Sequence, residues 1–252
     1  ITFHMLIHVI SLPRRSDRRA QFAAWNAHPG LEISFEDAVD GADLQRAALV
    51  AQGLLASDSA IFSAGAIGCA LSHYKMWMRA AAAPAPMIVC EDDACLRGNF
   101  LTLAEQAIKG APNGWDIIFL GFNTDAILAV QFADGLKALL SFDESAKKTP
   151  GYFEAYSGLS APASTLLQCY QIWGMLAYAI SPRGAARLLQ ACYPLDAANP
   201  VVMFGQNRTL RPYGIDGMIN LTLQRAPTSA YCLVPPIAVS ANDHHDSDAS
   251  AR

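Results

Sequence analysis

Short apolar runs alternate along the chain with segments whose apolar residues recur at helical spacing. Four runs have the length and composition of strands: residues 6–12, 31–35, 87–90 and 115–121. Segments with helical spacing or helix-start signals separate and follow them: residues 16–25, 66–82, 100–109 and 182–189. This alternation predicts an α/β fold, a single domain whose mostly parallel sheet is flanked by helices on both faces.

Two parts of the chain depart from this pattern. Residues 123–168 are rich in Gly, Ser and Ala with scattered aromatic side chains, and we expect a long functional loop or lid there. Residues 242–252 are polar, and we expect a mobile tail. At the other end, residues 1–4 precede Met5 and have the character of a vector remnant.

Composition narrows the class of protein. A chain of 252 residues that is 52% hydrophobic and 16% charged can bury a substantial core, and its net charge of −4 argues against nucleic acid as a partner. The six cysteines form no CxxC pair, so we expect reduced thiols in a cytoplasmic protein. Cys69 and His73 are four residues apart on a predicted helix and could share a metal, but buried packing is the favoured interpretation.

Three consecutive carboxylates, Glu91, Asp92 and Asp93, follow the apolar run at residues 87–90. In an extended chain residues i and i+2 face the same side, so Glu91 and Asp93 would converge while Asp92 turns away. Hard oxygen ligands at a strand end suit Mg²⁺ or Mn²⁺, which would bridge to substrate phosphates. The alternative is an acidic turn that ends the strand and binds nothing.

Four arginines, Arg14, Arg15, Arg18 and Arg19, crowd the end of the first predicted strand. They could form a solvated helix face, or they could bind a diphosphate at the start of the following helix. Ligands of parallel sheets collect at the carboxyl ends of the strands, where these arginines, Asp40 and the carboxylates would all lie. Cations and carboxylates together favour a nucleotide diphosphate with its divalent ion.

An ordered set of segments resembles glycosyltransferase family 25, the lipooligosaccharide galactosyltransferases and their collagen-modifying relatives. One of them reads Gly65-Ala66-Ile67-Gly68-Cys69 and then Ser72-His73, where the family has Gly-Glu-Ile-Gly-Cys and Ser-His. Ala66 thus stands where the family has glutamate, which puts the choice of sugar or the activity itself in doubt. The resembling segments span most of the chain: residues 9–19, 65–73, 91–94, 115–121, 174–189 and 215–216.

The resemblance implies a GT-A fold and transfer of a sugar, often galactose, from a UDP-sugar to an acceptor hydroxyl with inversion. Asp93, helped by Glu91 or Asp92, would hold Mn²⁺ or Mg²⁺ against the diphosphate, and Asp216 would be the catalytic base. Residues 123–168 would lie on the acceptor side. The donor pocket would be lined by Ser11, Leu12, Arg14, Asp40, Gly41, Ser72, His73 and Asp92.

Each of these roles has a plainer alternative. Asp216 could be a turn aspartate, and His73 a hydrogen-bonded core histidine. His244 and His245 could close over the metal, because GT-A enzymes often recruit a late histidine ligand, or they could belong to a simple polar tail. Four aromatic residues could stack on sugar rings, although ordinary packing is commoner: Tyr152, Phe153, Tyr156 and Trp173.

The sequence therefore predicts a metal-dependent inverting glycosyltransferase acting on a saccharide or lipid-linked oligosaccharide in bacterial lipopolysaccharide or surface-glycan synthesis. A lipid-linked acceptor would add peripheral contact with the inner membrane. One rival is a nucleotidyltransferase that uses the same acidic site. The other is a degenerate sugar-nucleotide- or glycan-binding module without turnover, for which Ala66 is the strongest sequence argument.

Overall fold

The computed structural model describes residues 6–226 and 228–242 of the chain. Three of the sequence-based expectations lie outside these residues: the vector remnant at residues 1–4, most of the tail at 242–252, and the metal ligand His244 with its neighbour His245. Within the described residues, no helix is both long and apolar enough to cross a bilayer.

Seven α-helices and thirteen strands make up this part of the chain. The helices are α1 Ser16–Trp25, α2 Arg46–Ala51, α3 Ala64–Ala82, α4 Phe100–Gly110, α5 Tyr152–Ser157, α6 Pro182–Cys192 and α7 Ile215–Arg225. The strands are β1 Leu6–Ser11, β2 Glu32–Asp37, β3 Met87–Glu91, β4 Cys95–Leu96, β5 Ile117–Gly121, β6 Leu128–Ala133, β7 Leu136–Leu140, β8 Thr165–Gln171, β9 Ala177–Ile180, β10 Val201–Met203, β11 Arg208–Leu210, β12 Ala230–Val234 and β13 Ala238–Val239.

The main sheet has the strand order β2-β1-β3-β9-β5-β12-β8-β6-β7. Strand β1 is parallel to β2 and β3, and β12 is parallel to β5, while β9 runs antiparallel between β3 and β5. The prediction of a single α/β domain with a helix-flanked sheet is confirmed, and the sheet itself is mixed. Because β1, β2 and β3 point the same way, their carboxyl ends meet at one edge, which the start of β9 also reaches.

Helices cover both faces of this sheet. Val89 of β3 and Phe119 of β5 face a core built with α3, α6 and α7, whereas the adjacent Ile88 and Ile118 face a core built with α1 and α4. Successive side chains of a strand point to opposite faces, so a strand covered on both sides must be apolar throughout. This burial on both faces explains the continuous apolar runs.

The prediction of a long loop at residues 123–168 was wrong. This stretch contains β6, β7, α5 and the start of β8, and β8 joins the main sheet between β12 and β6. A two-residue turn, Asp134-Gly135, connects β6 to β7, and Gly135 adopts φ +72°. Asp-Gly is a strong hairpin signal, and here Gly135 supplies the positive φ that the turn requires. The Ser- and Ala-rich composition of the surrounding residues concealed it.

The loop after β2 is pressed against helix α3. A Cβ atom on Gly68 would lie 2.6 Å from the carbonyl oxygen of Val39, and one on Gly41 would lie 2.0 Å from that of Ala64. The Ser72 hydroxyl accepts a hydrogen bond from the Val39 amide at 2.8 Å and donates one to the Gly68 carbonyl at 2.8 Å. The glycines and the serine together fix this loop on α3.

This packing predicts that Gly68→Ala destabilises the protein by about 2–3 kcal/mol, because the added methyl overlaps a backbone carbonyl that must shift. Gly110→Ala is the matched control, since Gly110 also lies in a helix and a Cβ there meets no atom within 4 Å. We expect the control to be neutral or stabilising by up to about 1 kcal/mol. Denaturant unfolding of both variants measures the difference, and equal stabilities would contradict the account.

Candidate functional site

A cleft of about 600 Å³ opens at the edge where β1, β2 and β3 end. It is lined by all the predicted site residues that lie within the described part of the chain, although these are spread over more than 200 positions. They are Ser11, Leu12, Arg14, Asp40, Gly41, Ser72, His73, Glu91, Asp92, Asp93 and Asp216. The fold thus brings the predicted donor residues, metal ligands and base into one place.

Asp92 is held by the protein on both of its oxygens. Ser11 donates to Oδ2 at 2.7 Å, and Arg18 donates to Oδ1 at 3.1 Å. Burial raises the pKa of this carboxyl, and Ser11 and Arg18 oppose that rise. Asp92 therefore ties the end of β3 to the end of β1. The prediction that strand alternation orients the three carboxylates was wrong, because β3 ends at Glu91 and the next two residues lie in a turn, in which the Ala94 amide donates to the Glu91 carbonyl at 3.2 Å.

The four arginines of the first motif have different environments. Arg19 donates to the Ser11 carbonyl at 3.0 Å and to Asp37 at 2.7 Å, so it braces the ends of β1 and β2. Arg15 pairs with the exposed Asp17. Arg18 donates to Asp92, as described above. The side chain of Arg14 is about half exposed and lines the cleft.

Arg14 pairs with Asp40 at the wall of the cleft that the sequence predicts to bind the donor. Its Nε donates to Asp40 Oδ2 at 2.7 Å, and the Ala42 amide donates to Asp40 Oδ1 at 3.1 Å. The guanidinium lowers the pKa of Asp40, which therefore stays ionised. The side chain of Arg14 is 53% exposed, so a phosphate entering the cleft can contact it without breaking buried structure.

Glu91 is held from behind by helix α3. Its Oε1 lies 3.2 Å from His73 Nε2 and 3.8 Å from the Cys69 thiol. Burial, followed by the charges of Glu91, Asp216 and Asp93, raises the Cys69 pKa well above its usual value, so this thiol stays protonated. His73 is fully buried, so it is both a core histidine and a direct partner of Glu91.

Asp93 has the most unusual environment of the three carboxylates. Its Oδ1 is buried and finds no hydrogen-bond partner among the described residues. Burial first, and then the charge of Glu91, raise the pKa of Asp93 to about 7. An unpartnered buried oxygen beside two further carboxylates is a costly arrangement for a protein alone. A divalent cation would remove that cost, so the residues fit Mg²⁺ or Mn²⁺.

Asp216 is the second residue of α7, on a different wall of the cleft. Its Oδ1 accepts a hydrogen bond from the Gly217 amide at 2.8 Å, and its Oδ2 accepts one from the Gly174 amide at 3.3 Å. Burial raises its pKa, and these amides oppose the rise. Gly174 must be glycine, because its φ is +82° and a Cβ would lie 2.3 Å from Asn123 Oδ1.

Two further expectations concern Ser72, predicted to contact the donor, and four aromatic residues that could stack on sugar rings. Ser72 is occupied by backbone partners in the loop contact described above. Trp25 stacks on Phe153 at 4.8 Å, and the Tyr156 hydroxyl donates to the Pro236 carbonyl. None of the four aromatic residues considered is among the described residues that line the cleft, which favours the packing alternative.

Sequence reasoning missed several residues of the cleft wall. Asn123, Gly174 and Met175 reach it because β5 ends and β9 begins at the same edge, a pairing that has no local signal. Tyr213 lies on the rim and is 50% exposed. Asn242 also lines the cleft and donates to Asp125 at 2.6 Å, so the described chain ends at the site. Tyr213, three residues before Asp216, could have been found from its place in a turn.

Comparison with known proteins agrees with the geometry. Residues 4–203 match the model of glycosyltransferase family 25, described as an LPS biosynthesis protein. The mouse and human proteins named inactive glycosyltransferase 25 family member 3 are each 31% identical to this chain, over 79% and 80% of its length. A Drosophila melanogaster protein named glycosyltransferase 25 family member is 28% identical over 79% of the chain.

The chain spans about a third of the length of these relatives: 31% of the mouse protein, 32% of the human protein and 29% of the Drosophila protein. The matched residues 4–203 include β1, α3 and the carboxylates after β3, the parts that build most of the cleft. The family model thus covers most of the chain and most of the cleft, and it ends before Asp216. The chain belongs to glycosyltransferase family 25.

Proposed function

We propose that this protein is a metal-dependent inverting glycosyltransferase that moves a sugar, galactose in our proposal, from a UDP-sugar to a hydroxyl of a saccharide acceptor. The observation that carries the proposal is the buried Oδ1 of Asp93, which has no hydrogen-bond partner among the described residues and belongs to the same cleft as Glu91. The pKa of this carboxyl is also raised. Asp93 and Glu91 would hold Mn²⁺ or Mg²⁺. A divalent ion supplies positive charge that offsets the charge developing on the departing diphosphate.

The donor would lie along the edge formed by β1, β2 and β3. Arg14 offers an exposed guanidinium to the diphosphate, and Asp40 and Gly41 line the cleft beside it. Asp92 acts on the donor indirectly, because both of its oxygens are bound by the protein. Its part is to hold the strand ends at the correct separation.

Inversion in a single step requires a base opposite the leaving group. Asp216 stands on α7, apart from the carboxylates of β3, and burial raises its pKa, which strengthens it as a proton acceptor. Asp216 would take the proton from the acceptor hydroxyl while that oxygen bonds to the sugar C1. The bond from C1 to the β-phosphate oxygen breaks, and UDP leaves with the electron pair.

A degenerate sugar-nucleotide-binding module is the second candidate, and two observations favour it. Ala66 lines the cleft at the position where the family resemblance leads us to expect glutamate, and the mouse and human relatives are named inactive. Such a module would bind UDP-sugar and release nothing. A nucleotidyltransferase would release pyrophosphate, whereas the proposed enzyme releases intact UDP, so the product identifies the reaction.

We place the activity in lipopolysaccharide or other surface-glycan assembly on the cytoplasmic side of the inner membrane. The words LPS biosynthesis in the description of the matching family support this placement. The acceptor in that setting is a saccharide or a lipid-linked oligosaccharide, which would bring the protein into peripheral contact with the membrane surface.

The raised pKa of Asp93 predicts a stability effect that needs no metal. Its folded-state pKa of about 7 lies above the ordinary 3.8, so the metal-free protein loses stability as the pH rises from about 4 through about 7. Asp93→Asn imitates the protonated form. We expect it to stabilise the metal-free protein above pH 7 by about 1–2 kcal/mol, and to have little effect near pH 4.

Thermal unfolding across pH measures this effect, with Asp134→Asn as the matched control because Asn-Gly also forms the β6–β7 turn. A control that behaves like Asp93→Asn would contradict the assignment, as would an advantage that does not depend on pH. With Mn²⁺ and UDP added, the wild-type protein should gain stability and Asp93→Asn should not.

The base assignment predicts that Asp216→Asn lowers UDP release from UDP-galactose by about 10²–10⁴-fold, the usual contribution of a general base. Mn²⁺-dependent binding of UDP should be retained, because asparagine keeps the size of the side chain and one of its two hydrogen bonds from the Gly174 and Gly217 amides, and Asp216 is not among the proposed metal ligands. Asp17→Asn, at the second position of α1, is the control for a change of charge at a helix start. Unchanged turnover in Asp216→Asn would rule out its role as the base.

The late-histidine ligand also gives a prediction. The described chain ends at Asn242, which lines the cleft and a smaller cavity of about 190 Å³ that also touches Asp93. His244 follows Asn242 by two positions in the sequence, and the family resemblance suggests a late histidine as a further metal ligand. We expect His244→Ala to weaken Mn²⁺ binding by about tenfold and His245→Ala to leave it unchanged. Equal Mn²⁺ affinities in the two variants would remove His244 from the ligand set.

A further inference from the structure

A continuous line of hydrogen bonds leads from the core to Glu91. Trp77 Nε1 lies 3.0 Å from the Tyr178 hydroxyl, which lies 2.9 Å from His73 Nδ1. His73 Nε2 lies 3.2 Å from Glu91 Oε1. Trp77, Tyr178 and His73 are fully buried, whereas Glu91 is 30% exposed at the cleft. The line therefore joins buried groups to a carboxylate of the candidate site.

The donors and acceptors along this line permit one complete arrangement. The indole N–H of Trp77 can only donate, and the Glu91 carboxylate can only accept, so His73 Nε2 carries hydrogen. In the neutral ring Nδ1 is then an acceptor, and it receives the hydroxyl hydrogen of Tyr178. Each polar group of the line has a partner, so Trp77 and Tyr178 select the tautomer of His73 that donates to Glu91.

A competing use of the same side chains is a soft-metal site. The ligand atoms of Cys69, His73 and Glu91 lie within 4.8 Å of one another. A metal on His73 Nε2 would need the lone pair there and would move the hydrogen to Nδ1. Two donors would then face the Tyr178 oxygen, and its buried hydroxyl hydrogen would lose its acceptor in the line, which is unfavourable. The hydrogen-bond line disfavours this site.

We propose that Trp77, Tyr178 and His73 are positioning residues that hold Glu91 Oε1 against α3, so that Oε2 is the oxygen presented to the cation of the donor diphosphate. This inference rests on the proposed function. Tyr178 is on β9, where it is paired in register with Val89 of β3, and Trp77 and His73 are on α3. The line thus crosses from a helix to the strand beside β3.

As a consequence, the Glu91 side chain is already held in one conformation before a cation binds. A glutamate side chain loses rotamer freedom when it binds a cation, and this loss opposes binding unless contacts within the protein have already removed that freedom. Groups behind a metal ligand typically change metal affinity by about 10- to 100-fold. Removing the Tyr178 hydroxyl should therefore weaken metal binding, although Tyr178 is not among the described residues that line the cleft.

The test compares Tyr178→Phe with Tyr193→Phe. Tyr193 is a matched control because its ring also packs against Trp77, at 6.1 Å, while its hydroxyl donates to the Ala70 carbonyl outside the line. Mn²⁺ affinity, read from paramagnetic titration in the presence of UDP, should fall by about tenfold in Tyr178→Phe and by less than about twofold in Tyr193→Phe. Equal affinities in these two variants would overturn the positioning role.

Nitrogen NMR of the histidine rings gives a second readout, measured on the wild-type protein and assigned with His73→Gln. We expect His73 as the Nε2–H tautomer in the wild type and a loss of that fixed tautomer in Tyr178→Phe. A wild-type Nδ1–H tautomer would overturn the inference. A cobalt–thiolate absorption band that disappears in Cys69→Ser would also overturn it, in favour of the soft-metal site.

The same experiments distinguish failure of the proposed function from failure of the positioning role. If wild-type protein binds no Mn²⁺ with UDP, the metal-directed role of Glu91 falls together with the donor site, whatever the tautomer. If wild type binds both and Tyr178→Phe binds them equally well, only the positioning role is lost. His73→Gln separates packing from hydrogen bonding, because a glutamine amide can donate to Glu91 and should keep more Mn²⁺ affinity than His73→Ala.

Discussion

Glu91, Asp92 and Asp93 bring three negative charges to the end of a buried strand, and the cleft is organised around their mutual repulsion. Asp92 is neutralised within the protein by Ser11 and Arg18, and Glu91 is restrained by His73. Asp93 keeps a buried oxygen that finds no partner among the described residues, together with a pKa of about 7. The charge that the protein leaves uncompensated is thus concentrated at one point, facing the cleft.

The scaffold holds this point of charge in place through contacts made by small residues. Gly41 and Gly68 let the loop after β2 touch α3, and α3 carries His73 and Cys69 to the back of Glu91. Gly174 lets the chain turn so that its amide reaches Asp216. Larger side chains at these glycines would move the residues proposed to bind the donor, to hold the metal and to act as the base relative to one another. The close packing at Gly41, Gly68 and Gly174 therefore also determines the geometry of the cleft.

Local pattern and the family resemblance together predicted much of this site. Parallel topology brings Arg14 and Asp40 to the same edge, as expected. The strand alternation assumed for the carboxylates, however, stops at Glu91, because Asp92 and Asp93 lie in a turn. Long-range partners were not predictable, because nothing near Arg18 indicates a contact with Asp92, 74 positions away. The insertion of β9 between β3 and β5, which places Tyr178 beside His73, also depends on strand order rather than on local spacing. The β6–β7 hairpin had a local signal in Asp134-Gly135 that its surroundings obscured.

The most direct test is calorimetric titration of UDP into the wild-type protein at neutral pH, with Mn²⁺ and then with a chelator in its place. If Asp93 and Glu91 hold a cation against the diphosphate, UDP should bind with Mn²⁺ and bind far more weakly or not at all with the chelator. Binding of equal affinity under both conditions would contradict the metal site. Absence of binding in both would contradict the donor site.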